Sequence, residues 1–180
     1  MVVTDLPKIL IVDDVPENLI SLESILEDLD AEVIKANSGL EALEIVLKHD
    51  FALILLDVQM PELNGFETAK YLRSIEKTKF IPIIFLTAIA KEEKYLFQGY
   101  DAGAVDFIHK PIDDKILINK SSIFLEIYQQ RQTISRLADS SLRFVPKEFL
   151  SALGKSSIMD IFANEAVQKD ITVLFSDIRS

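Results

Sequence analysis

Four times in the first 110 residues a short apolar run stops at a polar side chain, and between these runs apolar residues recur at helical spacing. This alternation limits the fold more than any other feature, because adjacent parallel strands need long crossover connections and helices supply them. The runs are Lys8 to Val12, stopping at Asp13-Asp14; Phe51 to Leu56, stopping at Asp57; Ile81 to Leu86, stopping at Thr87; and Ala104 to Ile108, just before Lys110-Pro111. Val33-Ile34 offers a brief further strand. After Pro16, Leu19, Leu22, Leu26 and Leu29 mark one helical face. Ser38 with Glu41 three residues later reads as a capping box ahead of Leu40, Leu43 and Leu47. A third helix is expected over Gly65 to Ser74 after the turn-rich 61–64, with Gly65 as a turn glycine, and a fourth over Glu92 to Tyr100. The class is therefore α/β, a doubly wound, mostly parallel sheet of five strands.

In such sheets sites form beyond the carboxyl ends of the strands. Asp13, Asp14, Asp57, Thr87 and Lys110 should converge there, although they lie up to 97 positions apart. Any one of them alone reads as a turn residue, a cap or a solvated charge. Together they describe a site. Three carboxylates at one sheet edge repel each other unless protons or a cation compensate them, and oxygen-only ligands suit Mg²⁺. A carboxylate can also attack phosphorus to give an acyl phosphate. In that reading Asp57 is the nucleophile, Lys110 neutralises charge on the transferred group, and the Thr87 hydroxyl bonds one of its oxygens. His49 and His109 are isolated and take no role.

Composition closes other routes. The chain has no Cys, which removes disulfides and thiolate metal sites. Nineteen Lys+Arg against 29 Asp+Glu leave a net charge of −10, which disfavours nucleic acid as a partner. The longest apolar stretch, Phe80 to Ala90, is shorter than the ~20 residues a membrane span needs. With no leader pattern at the N-terminus, the chain is expected in the cytoplasm, without a membrane partner.

From about Ile112 the pattern becomes one long helix without Gly, and Pro is absent until Pro146. Ile123, Ile127, Ile134 and Leu137 alternate between the two core positions of a heptad, with Gln130 and Ser141 as polar members, so residues 123–141 are expected to pair two copies as a short parallel coiled coil. Beyond Pro146 come a short helical stretch and one strand-like segment, Ile171 to Ser180, which has no partner in the remaining sequence.

With these residues in view, positions 6 to about 128 closely resemble the receiver domain of two-component response regulators. The resemblance rests on Ile9 to Asp14, on Leu55 to Glu67 with Asp57, Pro61 and Gly65, on Leu86-Thr87-Ala88, and on Asp106-Phe107-Ile108-His109-Lys110-Pro111. It implies a flavodoxin-like fold with strand order 2-1-3-4-5 and phosphotransfer from a histidine kinase to Asp57. It also implies Mg²⁺ held by Asp14, Asp57 and the Gln59 carbonyl, with Asp13 acting through water. Phe107 would be the aromatic that turns inward when Thr87 engages the phosphoryl group, and Lys110-Pro111 a cis peptide. Gln59 stands where Asn or Met is commoner in the family.

The tail has a second resemblance. Arg143 to Gly154, then Thr172 to Arg179, look like the opening of a class III adenylate/guanylate cyclase catalytic domain, with Asp177 as its first metal-binding aspartate. The family's second metal aspartate, base-selecting residues and transition-state pair are not in the sequence, so no cyclisation is expected of this stretch. The organisation expected is a receiver over 6–126, a signalling helix over 127–145 and an incomplete cyclase segment over 146–180. Two rival readings stand beside it. One is a receiver-like interaction module that is never phosphorylated. The other is a phosphatase with an Asp nucleophile, which the Gln59 two residues after Asp57 disfavours because that class resembles an Asp-x-Asp pattern.

Overall fold

The computed structural model describes residues 6–88 and 106–144, with Gly154 alone beyond them. The expected fourth helix over 92–100, the start of the fifth strand and everything expected after Pro146, Asp177 included, lie outside the described residues. Two units divide the chain, Met1–Gln130 and Arg131–Ser180.

Within the first unit the order is β1 (Lys8–Val12), α1 (Pro16–Leu26), β2 (Glu32–Ala36), α2 (Gly39–Lys48), β3 (Leu53–Asp57), α3 (Gly65–Ser74), β4 (Ile83–Thr87), β5 (Asp106–His109) and the start of α4 (Asp114–Phe144). The five strands form one sheet in the order β2-β1-β3-β4-β5, with every neighbouring pair parallel. This is the flavodoxin-like arrangement expected, and α4 is the extended C-terminal helix. Among the described residues no helix is long and apolar enough to cross a membrane.

The central strands β3 and β4 are buried on both faces, so they read as continuous apolar runs rather than alternating ones. Their side chains divide by parity. Leu10, Ile54, Leu56, Ile83 and Phe85 pack with Ala42 and Val46 of α2 and Ala69 and Leu72 of α3. Ile9, Ile11, Leu53, Leu55, Ile84 and Leu86 pack with Leu19, Leu22 and Leu26 of α1 and Leu117 and Leu125 of α4. Each large side chain so buried contributes about 1.5–3 kcal/mol of transfer free energy, and the sheet's two faces hold two separate cores.

Several local expectations shift. The third and fourth strands run one residue past the last apolar position and include Asp57 and Thr87. Backbone pairing explains this: Val58 N–H donates to Leu86 O at 3.1 Å and Lys110 N–H to Thr87 O at 2.8 Å, and a ladder does not depend on side-chain polarity. At α2, Ser38 caps Glu41 N–H at 3.1 Å, but the Glu41 carboxylate turns to the Asn37 N–H at 2.7 Å, so only half the expected box forms. The complete capping box is at α3. Asn64 accepts from Glu67 N–H, and Glu67 accepts from Asn64 N–H. The long helix begins at Asp114 rather than Ile112, with Asp113 accepting from Ile116 N–H at 3.1 Å.

Candidate functional site

The parity that sorts the core also builds the site. Asp13 continues the register of Ile9 and Ile11, Asp57 that of Leu53 and Leu55, and Lys110 that of Ile108, so all three leave the carboxyl edge on the α1/α4 face. β1 pairs with β3 through Val12↔Leu56, which sets Asp13 beside Asp57. β5 lies two strands from β3, and the long Lys110 side chain spans the end of β4 to reach them. Its Nζ lies 2.5 Å from Asp57 Oδ1 and 2.8 Å from Asp13 Oδ2. The Lys110–Pro111 peptide is cis, as the resemblance implied.

Both carboxylates are almost wholly out of water, Asp13 at 1% and Asp57 at 4% exposure. Burial raises the Asp57 pKa above its ordinary value. The hydrogen bond and charge of Lys110 oppose that rise, the Asp13 charge adds to it, and the Gln59 N–H, 2.7 Å from Asp57 Oδ2, opposes it again. Burial would lower the Lys110 pKa, but its bonds to the two carboxylates outweigh that and raise it. Asp14 is half-buried at the rim and the Gln59 side chain is exposed. Among the described residues no group of three or more His, Asp or Glu is already gathered to hold a metal ion. The assembled core is two carboxylates joined by one ammonium. A cavity of about 310 Å³ opens onto it, running from Asp13 and Lys110 over Leu22, Ile25 and Pro111.

Thr87 and Phe107 sit on the other face of the sheet. Phe107 registers against Phe85, two residues before Thr87, and their rings lie 5.6 Å apart; Phe66 packs edge-on against Phe85 at 4.9 Å. Thr87 is buried at 5% exposure and Phe107 is half-buried.

Sequence reasoning passed over Asn18 and underrated Gly65. Asn18, in the first turn of α1, places its side-chain nitrogen 2.9 and 3.0 Å from the two Asp13 oxygens. Val15 at the N-cap makes no side-chain cap bond, and the Asn18 amide turns instead to the Asp13 carboxylate. Gly65 is more than a turn glycine. A Cβ there would lie 2.2 Å from the Asp57 carbonyl oxygen and 2.9 Å from Val58 Cα, so the first turn of α3 packs directly behind the carboxylate-bearing strand end.

The family model of the response regulator receiver domain matches residues 9–122. The chain belongs to this receiver family. It is 38% identical over 106 residues to the polar-differentiation response regulator DivK of Brucella ovis, covering 58% of this chain and 84% of that one. It is 37% identical over 116 residues to the sensor protein GacS of Pseudomonas syringae, covering 62% of this chain but only 12% of GacS. The receiver domain of the sensor histidine kinase PA1611 from Pseudomonas aeruginosa, solved with a magnesium ion in its active-site cleft, superimposes with a TM-score of 0.62 at 27% identity, over 68% of this chain and 99% of that one. All three matches concern the receiver, so the role of the remainder is taken up below.

Proposed function

We propose that this receiver is a phosphorylation switch in which Asp57 accepts a phosphoryl group from the phosphohistidine of a sensor histidine kinase. The observation that carries the reading is the Lys110 ammonium held between the buried Asp57 and Asp13 carboxylates. An Asp57 oxygen attacks phosphorus as the donor's N–P bond breaks, and the electron pair of that bond leaves with the imidazole nitrogen. Lys110 sits where it can follow the transferred oxygens. With both carboxylates ionised, one ammonium leaves a net negative charge, and the donors are all hard oxygens, so the site's chemistry fits Mg²⁺. Asp14, Asp57 and the Gln59 carbonyl would hold it, with Asp13 acting through water. Its role there is neutralisation of charge on the transferred group. Thr87 then bonds one phosphoryl oxygen, and Phe107 follows inward beside Phe85.

The output half of the proposal runs along α4. Ile123, Ile127, Ile134 and Leu137 are 55%, 39%, 60% and 62% exposed on a continuous helix, an apolar stripe at heptad spacing suited to a second copy of this chain. A dimer through residues 123–141 would then relay the switch to the segment over 146–180, with its resemblance to a class III cyclase and its Asp177, as the regulatory front of a nucleotide cyclase. Sedimentation with and without a beryllofluoride phosphate mimic tests the pairing, and a monomer in both states would remove it.

The test of the switch itself is intact mass after incubation with Mg²⁺ and acetyl phosphate. A base-labile gain of about 80 Da in the wild type and none in Asp57→Ala is expected. No gain in a wild type that binds Mg²⁺ would instead support a docking module that is never phosphorylated.

A further inference from the structure

The two buried carboxylates of the site differ in how much of their bonding capacity is in use. An ionised carboxylate has about four lone-pair positions. For Asp13, Oδ1 accepts from the Val15 N–H at 2.9 Å and from Asn18 Nδ2 at 2.9 Å, while Oδ2 accepts from Asn18 Nδ2 at 3.0 Å and from Lys110 Nζ at 2.8 Å. Each oxygen thus faces two donor atoms, the Asn18 amide straddling the pair, and all of Asp13's bonding is engaged within the protein. For Asp57, each oxygen has one donor among the described residues, Lys110 on Oδ1 and the Gln59 N–H on Oδ2. Asp57 keeps room for a cation and for a bond to phosphorus. Asn18 makes the difference, since its amide nitrogen straddles both Asp13 oxygens while Asp57 has no such shared donor among the described residues.

We propose that Asn18 is a positioning residue that fills Asp13 and so bars it from direct contact with a divalent cation. The inference rests on the Mg²⁺-dependent reading above and adds a reason for weak, exchangeable binding. The cation meets fewer direct carboxylate ligands than the sheet edge carries, and ligand charge count is a main determinant of affinity at hard-oxygen sites. The geometry is local and stiff. Asn18 is the third residue of α1, behind Pro16, and the same Asp13 carboxylate ties down the loop through Val15. A purely structural Asn18 would anchor α1 to β1 and affect only stability. A positioning Asn18 also limits cation affinity, and the two roles predict different measurements.

Calorimetric titration of the full chain with MgCl₂ alone, comparing wild type, Asn18→Ala and Asn18→Leu, separates them. Alanine opens space beside Asp13, whereas leucine fills it without a donor, and thermal melts run in parallel confirm that both variants fold. Each variant is expected to bind Mg²⁺ severalfold tighter than wild type, since one more carboxylate becomes available as a direct ligand and affinity at hard-oxygen sites rises with ligand charge count. Unchanged or weaker binding in the folded variants overturns the inference. If the wild type binds Mg²⁺, loses it in Asp57→Ala, and the Asn18 variants match wild type, the inference alone falls. If none of the proteins binds the cation, the Mg²⁺-dependent reading falls with it.

Discussion

Replacing Lys110 by methionine is the most direct probe of the charge arrangement. The side chain keeps its apolar stem and is one atom shorter, and the ammonium between Asp13 and Asp57 is gone. Two carboxylates, 1% and 4% exposed, then face each other across one sheet edge without a counter-charge. Removing one partner of a buried ion pair costs about 3–5 kcal/mol. Because Lys110 itself is 25% exposed, the low end applies, and we expect a loss of about 3 kcal/mol in urea unfolding at pH 7.5 without added divalent cation. The loss should shrink in acid, because a buried carboxyl with a raised pKa can take up a proton and relieve the repulsion. The double variant Lys110→Met/Asp57→Asn, which removes one of the two negative charges, should recover more than half of the deficit at pH 7.5. A single variant within about 0.5 kcal/mol of wild type across pH 5 to 8 would refute the reasoning, because the carboxylates would then be compensated by something other than Lys110.

Asp57→Asn in the wild-type background should gain stability relative to wild type as pH rises. The raised folded pKa of Asp57 gives a contribution that is fully present below the ordinary carboxyl value of 3.8 and lost as pH rises through the folded value, so urea midpoints of the two proteins should diverge upward in pH. Gly65→Ala forces a Cβ against the Asp57 backbone, which cannot move aside like a flexible side chain; a loss of about 1–3 kcal/mol and slower acetyl-phosphate labelling are expected, read by urea midpoint and intact mass. Asn64→Ala removes the complete capping box of α3 and should cost about 1 kcal/mol in the same urea assay, with the phosphorylated mass still reached.

Much of the site was legible because local periodicity carries both the fold and the strand ends. The apolar runs before Asp13, Asp57, Thr87 and Lys110 required strands there, and the leucines after Pro16 required a helix. Other positions were misread where one residue type satisfies two local rules. Ser38 with Glu41 matches the capping-box pattern, but the Glu41 carboxylate bonds Asn37 N–H. Asn64-Gly65 reads as a turn leading into a helix, which is what forms, but the complete capping box of Asn64 with Glu67 went unread. Asn18 drew no notice in the sequence because its partner, Asp13, lies outside the helix and its role depends on how that carboxylate is held.

By itself the sequence determined which segments are strands and helices, that polar residues stand at the strand ends, and which face each side chain takes, because alternation along a strand is a property of neighbouring residues. Only the tertiary structure decided which of the strand-end residues meet. The order β2-β1-β3-β4-β5 sets Asp13 beside Asp57 and makes Lys110, 97 positions from Asp13, cross the end of β4 to join them. The Gly65 close approach and the Lys110 bond to Asp13 arise the same way, from packing that leaves no periodic trace in the sequence. Distances of that kind are products of crossover and core packing rather than of local pattern.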